Sequence, residues 1–245
     1  MKWSLGLVRL WRPLSAMPKT AKSLTKIISE LAKLYGNPKP PAVTDPLGMI
    51  LLENVAYLVS DERRAQAFSA LRERVGLTPP KILMAPENTL IEVAQLGGMH
   101  PVARVEKLKL IAQIALQEFD GDFDRVLNQS LAQSKKYLKK FPGIGDPGAE
   151  KILLFSRTQP ILALDSNGLR VLLRLGYGEE SKSYSTTYRS AQDAAGKEIK
   201  KDFDWLIGAH QLLRRHGQEL CKNVKPVCAR CPLKSYCRYY QQRSS

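Results

Sequence analysis

Four cysteines, the only ones in the chain, fall within the last twenty-five residues as Cys221, Cys228, Cys231 and Cys237, a C-x6-C-x2-C-x5-C spacing. Thiolates drawn from one short loop suit a cubane iron-sulfur (4Fe-4S) cluster. A structural zinc site usually presents two C-x2-C knuckles separated by a longer excursion, whereas here one knuckle carries arms of six and five residues; zinc stays open as the smaller alternative. Disulfide pairing fits poorly, because the loops are tight and no secretory signal precedes them. A second constellation is Leu138-Lys139-Lys140-Phe141-Pro142-Gly143-Ile144-Gly145-Asp146-Pro147. A Gly-x-Gly turn between two helices can aim backbone N–H groups at a phosphate oxygen beside a helix N-terminus, and Lys139 and Lys140 favour that use. Asp146 is placed to cap the second helix, with Pro147 at its first position. The plain alternative is a glycine-hinged helical turn with no ligand.

These groups must be positioned by helices. Apolar residues recur at helical spacing and no alternating run or hairpin signal is present, so the expected fold class is all-α. Leu24, Ile27, Ile28, Leu31 and Leu34 mark a first helix, ended by Asn37-Pro38-Lys39-Pro40-Pro41. Further helices are expected over about 46–59, 61–74, 87–96, 101–118, 122–129, 131–140, 147–157, 166–176, 186–199 and 202–216. The chain of 245 residues carries 38 Lys plus Arg against 23 Asp plus Glu, a formal +15, which is the footprint of a polyanion binder. No apolar run approaches the roughly 20 residues that cross a bilayer. The basic stretch before Glu30 lacks a cleavage site and reads as an arm leading into the first helix, which implies a soluble, cytoplasmic, nucleoid-associated monomer.

Pro142-Gly143-Ile144-Gly145, then Leu162-Ala163-Leu164-Asp165-Ser166-Asn167 leading into Arg170-Val171-Leu172, then His216-Gly217 ahead of the cysteine clasp, resemble the helix-hairpin-helix DNA glycosylases of the endonuclease III and adenine glycosylase superfamily. The similarity runs from about Pro46 to Cys237. It implies a six-helix barrel domain with the hairpin over 43–160, a 4Fe-4S cluster domain over 161–245 joined by an N-terminal arm and helix over 1–42, and a cleft for double-stranded DNA between them. Gly143, Ile144, Gly145, Lys139 and Lys140 are then expected to hold the DNA backbone. Breaking an N-glycosidic bond leaves positive charge on the sugar of a flipped nucleotide, so a carboxylate is needed beside it. Asp165, at a helix start after an apolar run, matches the essential aspartate of that family; the bland alternative is an N-cap alone.

Bifunctional members carry a lysine eighteen residues before that aspartate, and the equivalent position here is Pro147. Proline has no nucleophile, so a monofunctional glycosylase is expected, with Lys151, one helical turn on, expected to face elsewhere. Pro46-Leu47-Gly48-Met49-Ile50-Leu51-Leu52-Glu53 resembles the adenine-glycosylase helix whose glutamate protonates the departing purine, and Asn167 matches the same branch. Glu53, Tyr57, Ser60 and Asp61 fall on one helical stripe, and a cleft there would raise the Glu53 pKa for acid work. An adenine or purine mispair is therefore the expected substrate. Two departures leave base choice open. Tyr57 and Leu58 replace glutamines and suit stacking or wedging, and the sequence ends at Ser245 soon after the clasp. His100, before Pro101, could touch the opposite base or phosphate, or be a surface histidine. His216 is expected to pack beside the cluster, and the basic residues around the clasp, Arg214, Arg215, Lys222, Lys225, Arg230, Lys234 and Arg238, to meet the DNA backbone. The rivals are a mismatch thymine, uracil or alkylpurine glycosylase on the same scaffold, an endonuclease III-like lyase using Lys151, and a non-catalytic lesion-binding module.

Overall fold

The computed structural model describes residues 23–244, whose regular elements are all helices, with no strand among them. The basic arm, with Trp3 and Trp11, lies outside the described residues. The helices are α1 Leu24–Tyr35, α2 Pro46–Val55, α3 Asp61–Arg74, α4 Pro79–Met84, α5 Glu87–Leu96, α6 Pro101–Phe119, α7 Asp124–Leu127, α8 Leu131–Leu138, α9 Asp146–Phe155, α10 Ser166–Leu175, α11 Tyr184–Gly196, α12 Phe203–Glu219 and α13 Arg238–Ser244. Two 3-10 turns, Cys228–Arg230 and Lys234–Tyr236, lie in the cysteine loop.

Apolar side chains sort into two cores. The first gathers Ile50, Leu51, Leu71, Ile82, Leu90, Leu108, Ile111, Leu138, Ile152 and their neighbours from α2 to α9. The second gathers Leu24, Ile27, Ile28 and Leu31 of α1 with Leu169, Leu172, Leu206, Leu212 and Leu213 of α10 and α12. The amphipathic stripe of α1 is therefore buried against a helix nearly two hundred residues later, which brings the first described helix onto the second core.

Two boundaries differ from the sequence reading in ways that matter. The second helix stops at Val55, because Ala56 turns into extended backbone and Tyr57 N–H is taken by Gly97 O at 3.3 Å. Tyr57, Ser60 and Asp61 therefore do not continue the Glu53 stripe; Ser60 instead caps α3 by accepting from Arg63 N–H at 3.2 Å. Gly97 is demanded by that junction, since a Cβ there would lie 1.8 Å from Val55 O. The short helix α4 is an addition: Pro79-Pro80 reads as a turn, yet proline at the first helical positions starts a helix as readily as it ends one.

Candidate active site between the two cores

A non-helical segment, 161–164, half-buried at Ile161 and buried from Leu162 on, delivers Asp165 to the start of α10. Asp165 caps that helix, accepting from Gly168 N–H at 2.7 Å through one oxygen. Its other oxygen accepts from Asn167 Nδ2 at 3.1 Å and lies 3.4 Å from Arg214 Nε. The carboxylate is thus both the cap and the holder of two further groups, and it is 27 % exposed, enough to meet a substrate. Arg214, on α12, spans to the first core by donating to both oxygens of Asp61 at 2.7 and 3.0 Å. Asp61 is held below the usual carboxylate range first by these hydrogen bonds and then by the Arg214 charge, against the opposing effect of burial. Arg214 therefore belongs to this cleft and not to the basic face of the cysteine loop.

An open cleft of about 580 Å³ lies beside this array, walled by Glu53, Asp61 and Arg64 from one core, Lys151 from α9, and His210 and Arg214 from α12. Such a volume falls within the roughly 300–1,000 Å³ of ordinary small-ligand sites, enough for one nucleotide. Lys151 points into the cleft, where its ammonium pairs with Glu53, while Arg64 lies 3.4 Å from the same Glu53 oxygen. This corrects the sequence reading twice: Lys151 does not face elsewhere, and Glu53 is not a raised-pKa acid. Burial does push the Glu53 carboxyl upward, but the charges and hydrogen bonds of Lys151 and Arg64 outweigh it and leave the group below its usual 4.5. A group depressed in the folded state stabilises the fold above the unfolded value and loses that contribution as pH falls through the folded one. Glu53→Gln should cost about 1–2 kcal/mol at neutral pH, and the gap in Tm between wild type and variant should narrow below about pH 4.5, as thermal melts across pH will register.

The hairpin between α8 and α9 is built as a close turn. Gly143 has φ +76°, a left-handed conformation that glycine adopts freely. Asn54, buried on α2, donates through Nδ2 to Pro142 O at 2.9 Å and to Ile50 O at 3.0 Å, and so pins the turn to the first core. Ile144 is buried, so any contact it makes to a ligand is through its backbone. The helix start itself differs from expectation. Gly145 is the N-cap with no side-chain acceptor, and Asp146 is the first helical residue, pairing with Lys135 at 3.1 Å and Lys139 at 3.2 Å. An uncapped helix N-terminus leaves donors facing outward, which is an anion receptor. Lys139 and Lys140 are already engaged, on Asp146 and Glu118, and would have to exchange those carboxylates for a phosphate.

Tyr57 and Leu58 are 62 % and 79 % exposed, and Leu58 has φ +55°, a strained value for a branched side chain. The neighbouring loop carries His100, also left-handed at φ +60° and exposed, and Met99, 73 % exposed. Arg104 holds this second loop by donating twice to Met99 O, at 2.8 and 3.0 Å. The two loops form one apolar rim, of which sequence reasoning named Tyr57, Leu58 and His100 but missed Met99. Its signal was a large apolar residue between Gly98 and a proline-started helix.

All four cysteines are free thiols lining one small cavity of about 20 Å³ with Leu220, Pro226, Tyr239 and Tyr240. Burial, joined by the neighbouring thiols, pushes the Cys231 thiol up to about 11, so the four are close enough to feel one another. Among the described residues no group of three or more His, Cys, Asp and Glu side chains is placed to hold a metal ion. His216 packs against the set, its Nε2 3.5 Å from Cys231 Sγ and its Nδ1 3.0 Å from the Tyr35 hydroxyl. Arg170 joins this loop to the cleft: it donates to Cys221 O at 2.9 Å, Gly217 O at 2.8 Å and Asn167 Oδ1 at 2.8 Å, two residues after Asp165. Sequence reading did not assign Arg170 a role. Of the basic residues near the clasp, Arg215 and Arg238 are paired, with Glu219 and Glu179. Among the described residues no helix is long and apolar enough to cross a membrane.

No protein-family model matches the chain. A thymine-DNA glycosylase of Aeropyrum pernix is 32 % identical over 224 residues, covering 89 % of this chain and 95 % of that one. An endonuclease III of Sulfolobus acidocaldarius is 29 % identical over 182 residues, covering 74 % of this chain and 76 % of the relative. Among solved structures, a trapped endonuclease III–DNA covalent intermediate superposes with a TM-score of 0.71 at 20 % identity, over 91 % of this chain and all of the other.

Proposed function

Because the chain belongs to the helix-hairpin-helix DNA glycosylase superfamily, together with endonuclease III and thymine-DNA glycosylase, we propose that it is a base-excision glycosylase. It binds duplex DNA, flips a mispaired base into the cleft, and cleaves the N-glycosidic bond by hydrolysis. The observation that carries this reading is Asp165: a carboxylate fixed by Gly168, Asn167 and Arg214 at the edge of a cleft roomy enough for a nucleotide. Positive charge that develops on the sugar meets a negative group already in place, at no cost of reorganisation during the reaction. The hairpin around Gly143 and Gly145 holds a backbone phosphate, and Tyr57, Leu58, Met99 and His100 fill the space the base leaves. Cys221, Cys228, Cys231 and Cys237 would hold the 4Fe-4S cluster, whose contribution is to pin the loop that follows α12.

A mispaired thymine or uracil is the base this cleft suits. A purine leaves best with a proton from a nearby acid, and Glu53, paired with Lys151 and Arg64, is not one. A pyrimidine can leave as an anion, and Lys151 and Arg64 are cations placed to receive it. The thymine-DNA glycosylase among the relatives supports the same substrate. Duplexes bearing single mispairs, assayed with and without alkali, should release thymine or uracil opposite guanine, with strand scission only after alkali. Release confined to adenine mispairs would return the purine reading to first place.

One observation favours a lyase as the second reading: the Lys151 amine lies in the cleft although Pro147 occupies the usual position. Borohydride added to an abasic duplex should trap no covalent adduct with the wild type. An adduct that disappears in Lys151→Ala would make Lys151 the nucleophile.

A further inference from the structure

The segment that carries Asp165 into the cleft is non-helical and buried from Leu162 on, so its backbone donors and acceptors need partners from elsewhere. Two come from α11. Leu164 N–H donates to the Tyr188 hydroxyl at 3.1 Å, and Leu162 O accepts from Gln192 Nε2 at 3.0 Å. A third comes from α12, where His210 Nδ1 lies 2.9 Å from Ala163 O. Tyr188 and Gln192 are in turn fastened to one group: both donate to Glu150 Oε2, each at 2.6 Å. Glu150 is only 3 % exposed, and its other oxygen accepts from Lys135 at 2.5 Å. Lys135 belongs to α8 and also reaches Asp146 at 3.1 Å, the first residue of α9. Glu150 therefore stands where the two limbs of the hairpin meet the strut that orients Asp165.

We propose that Glu150 is a positioning residue that sets the distance between the DNA backbone held at the hairpin and the Asp165 carboxylate, an inference that rests on the glycosylase reading above. A buried carboxylate with three donors is rigid in a way a single hydrogen bond is not, because moving any partner leaves charge unsatisfied. The hairpin and the carboxylate lie in different packing units, so without such a tie their separation would follow every small movement between the two cores. An error of about 1 Å in that separation is enough to slow a reaction by roughly 10²-fold.

The experiment compares single-turnover base release with equilibrium binding to an uncleavable mispaired duplex for Glu150→Gln, Tyr188→Phe and the double variant. Each single change should slow release by about tenfold or more while binding stays within about twofold, and the double should be no slower than the worse single. That split distinguishes positioning from general loss of structure, which would reduce binding in step. Should Glu150→Gln not fold, Tyr188→Phe decides, because it keeps the ring and removes only the hydroxyl that links Glu150 to Leu164. Wild-type release rates in the folded variants, or binding that falls as far as release, overturn the proposal. Asp165→Asn run alongside separates the two levels: if it too releases base normally, the glycosylase site itself is misplaced.

Discussion

Asp165→Asn should lower the rate of base release by about 10²–10³-fold while leaving the fold and the affinity for duplex DNA in place. The two halves of that expectation have different physical origins. Asparagine is as good a helix cap as aspartate, so the hydrogen bond now made from Gly168 N–H at 2.7 Å survives and α10 keeps its start. The charge does not survive. Arg214 then keeps only Asp61 as an anionic partner at this point, and a sugar developing positive charge meets a neutral amide beside a guanidinium. Single-turnover kinetics with a mispaired duplex, paired with a thermal melt, measure both halves. Release at the wild-type rate would move the non-catalytic lesion-binding reading ahead of the enzyme.

The features that were legible in the sequence are those whose cause is local. Leu24, Ile27, Ile28 and Leu31 recur at helical spacing because one face of α1 is buried, and all four are in the second core. Leu34 lies at the edge of that stripe and is 46 % exposed, while Tyr35 takes the last position packed on the core. The Gly143 turn was visible because a left-handed residue needs glycine. The end of α2 was not visible: nothing in Ala56-Tyr57-Leu58 forbids helix, and the break comes from Gly97 pressing on Val55 from a loop forty residues away. The charge state of Glu53 was misread for the same kind of reason. Its stripe suggested a half-apolar cleft, and the sequence could not say that Lys151 and Arg64 would converge on it. Glu150 and Arg170 were silent altogether. Each is one charged residue on a helix, and what makes each notable is partners about forty to fifty residues away.

Gly217→Ala should be damaging in the second core, and its effect on catalysis should exceed its effect on stability. A Cβ on Gly217 would lie 2.7 Å from both the Cβ and the backbone oxygen of Asn167, and 2.9 Å from its carbonyl carbon. Backbone cannot swing aside as a side-chain tip can, so α12 must move away from α10. Overpacking of this kind costs about 1–3 kcal/mol. The separation also falls on the residue whose amide holds Asp165 at 3.1 Å, and it stretches the Arg170 hydrogen bonds that tie Asn167 to Gly217 O and Cys221 O. A shift at that point displaces the carboxylate directly, so base release should fall by about 10²-fold even at a temperature where the variant is fully folded. Gly208→Ala is the control within the same helix. No atom lies within 4 Å of its added Cβ, and alanine is the better helix former, so that variant should melt no lower than the wild type and keep its activity. If Gly217→Ala melts lower yet releases base at the wild-type rate when folded, then the contact between α10 and α12 serves the core alone, and Asp165 takes its position from the 161–164 segment without help from Asn167.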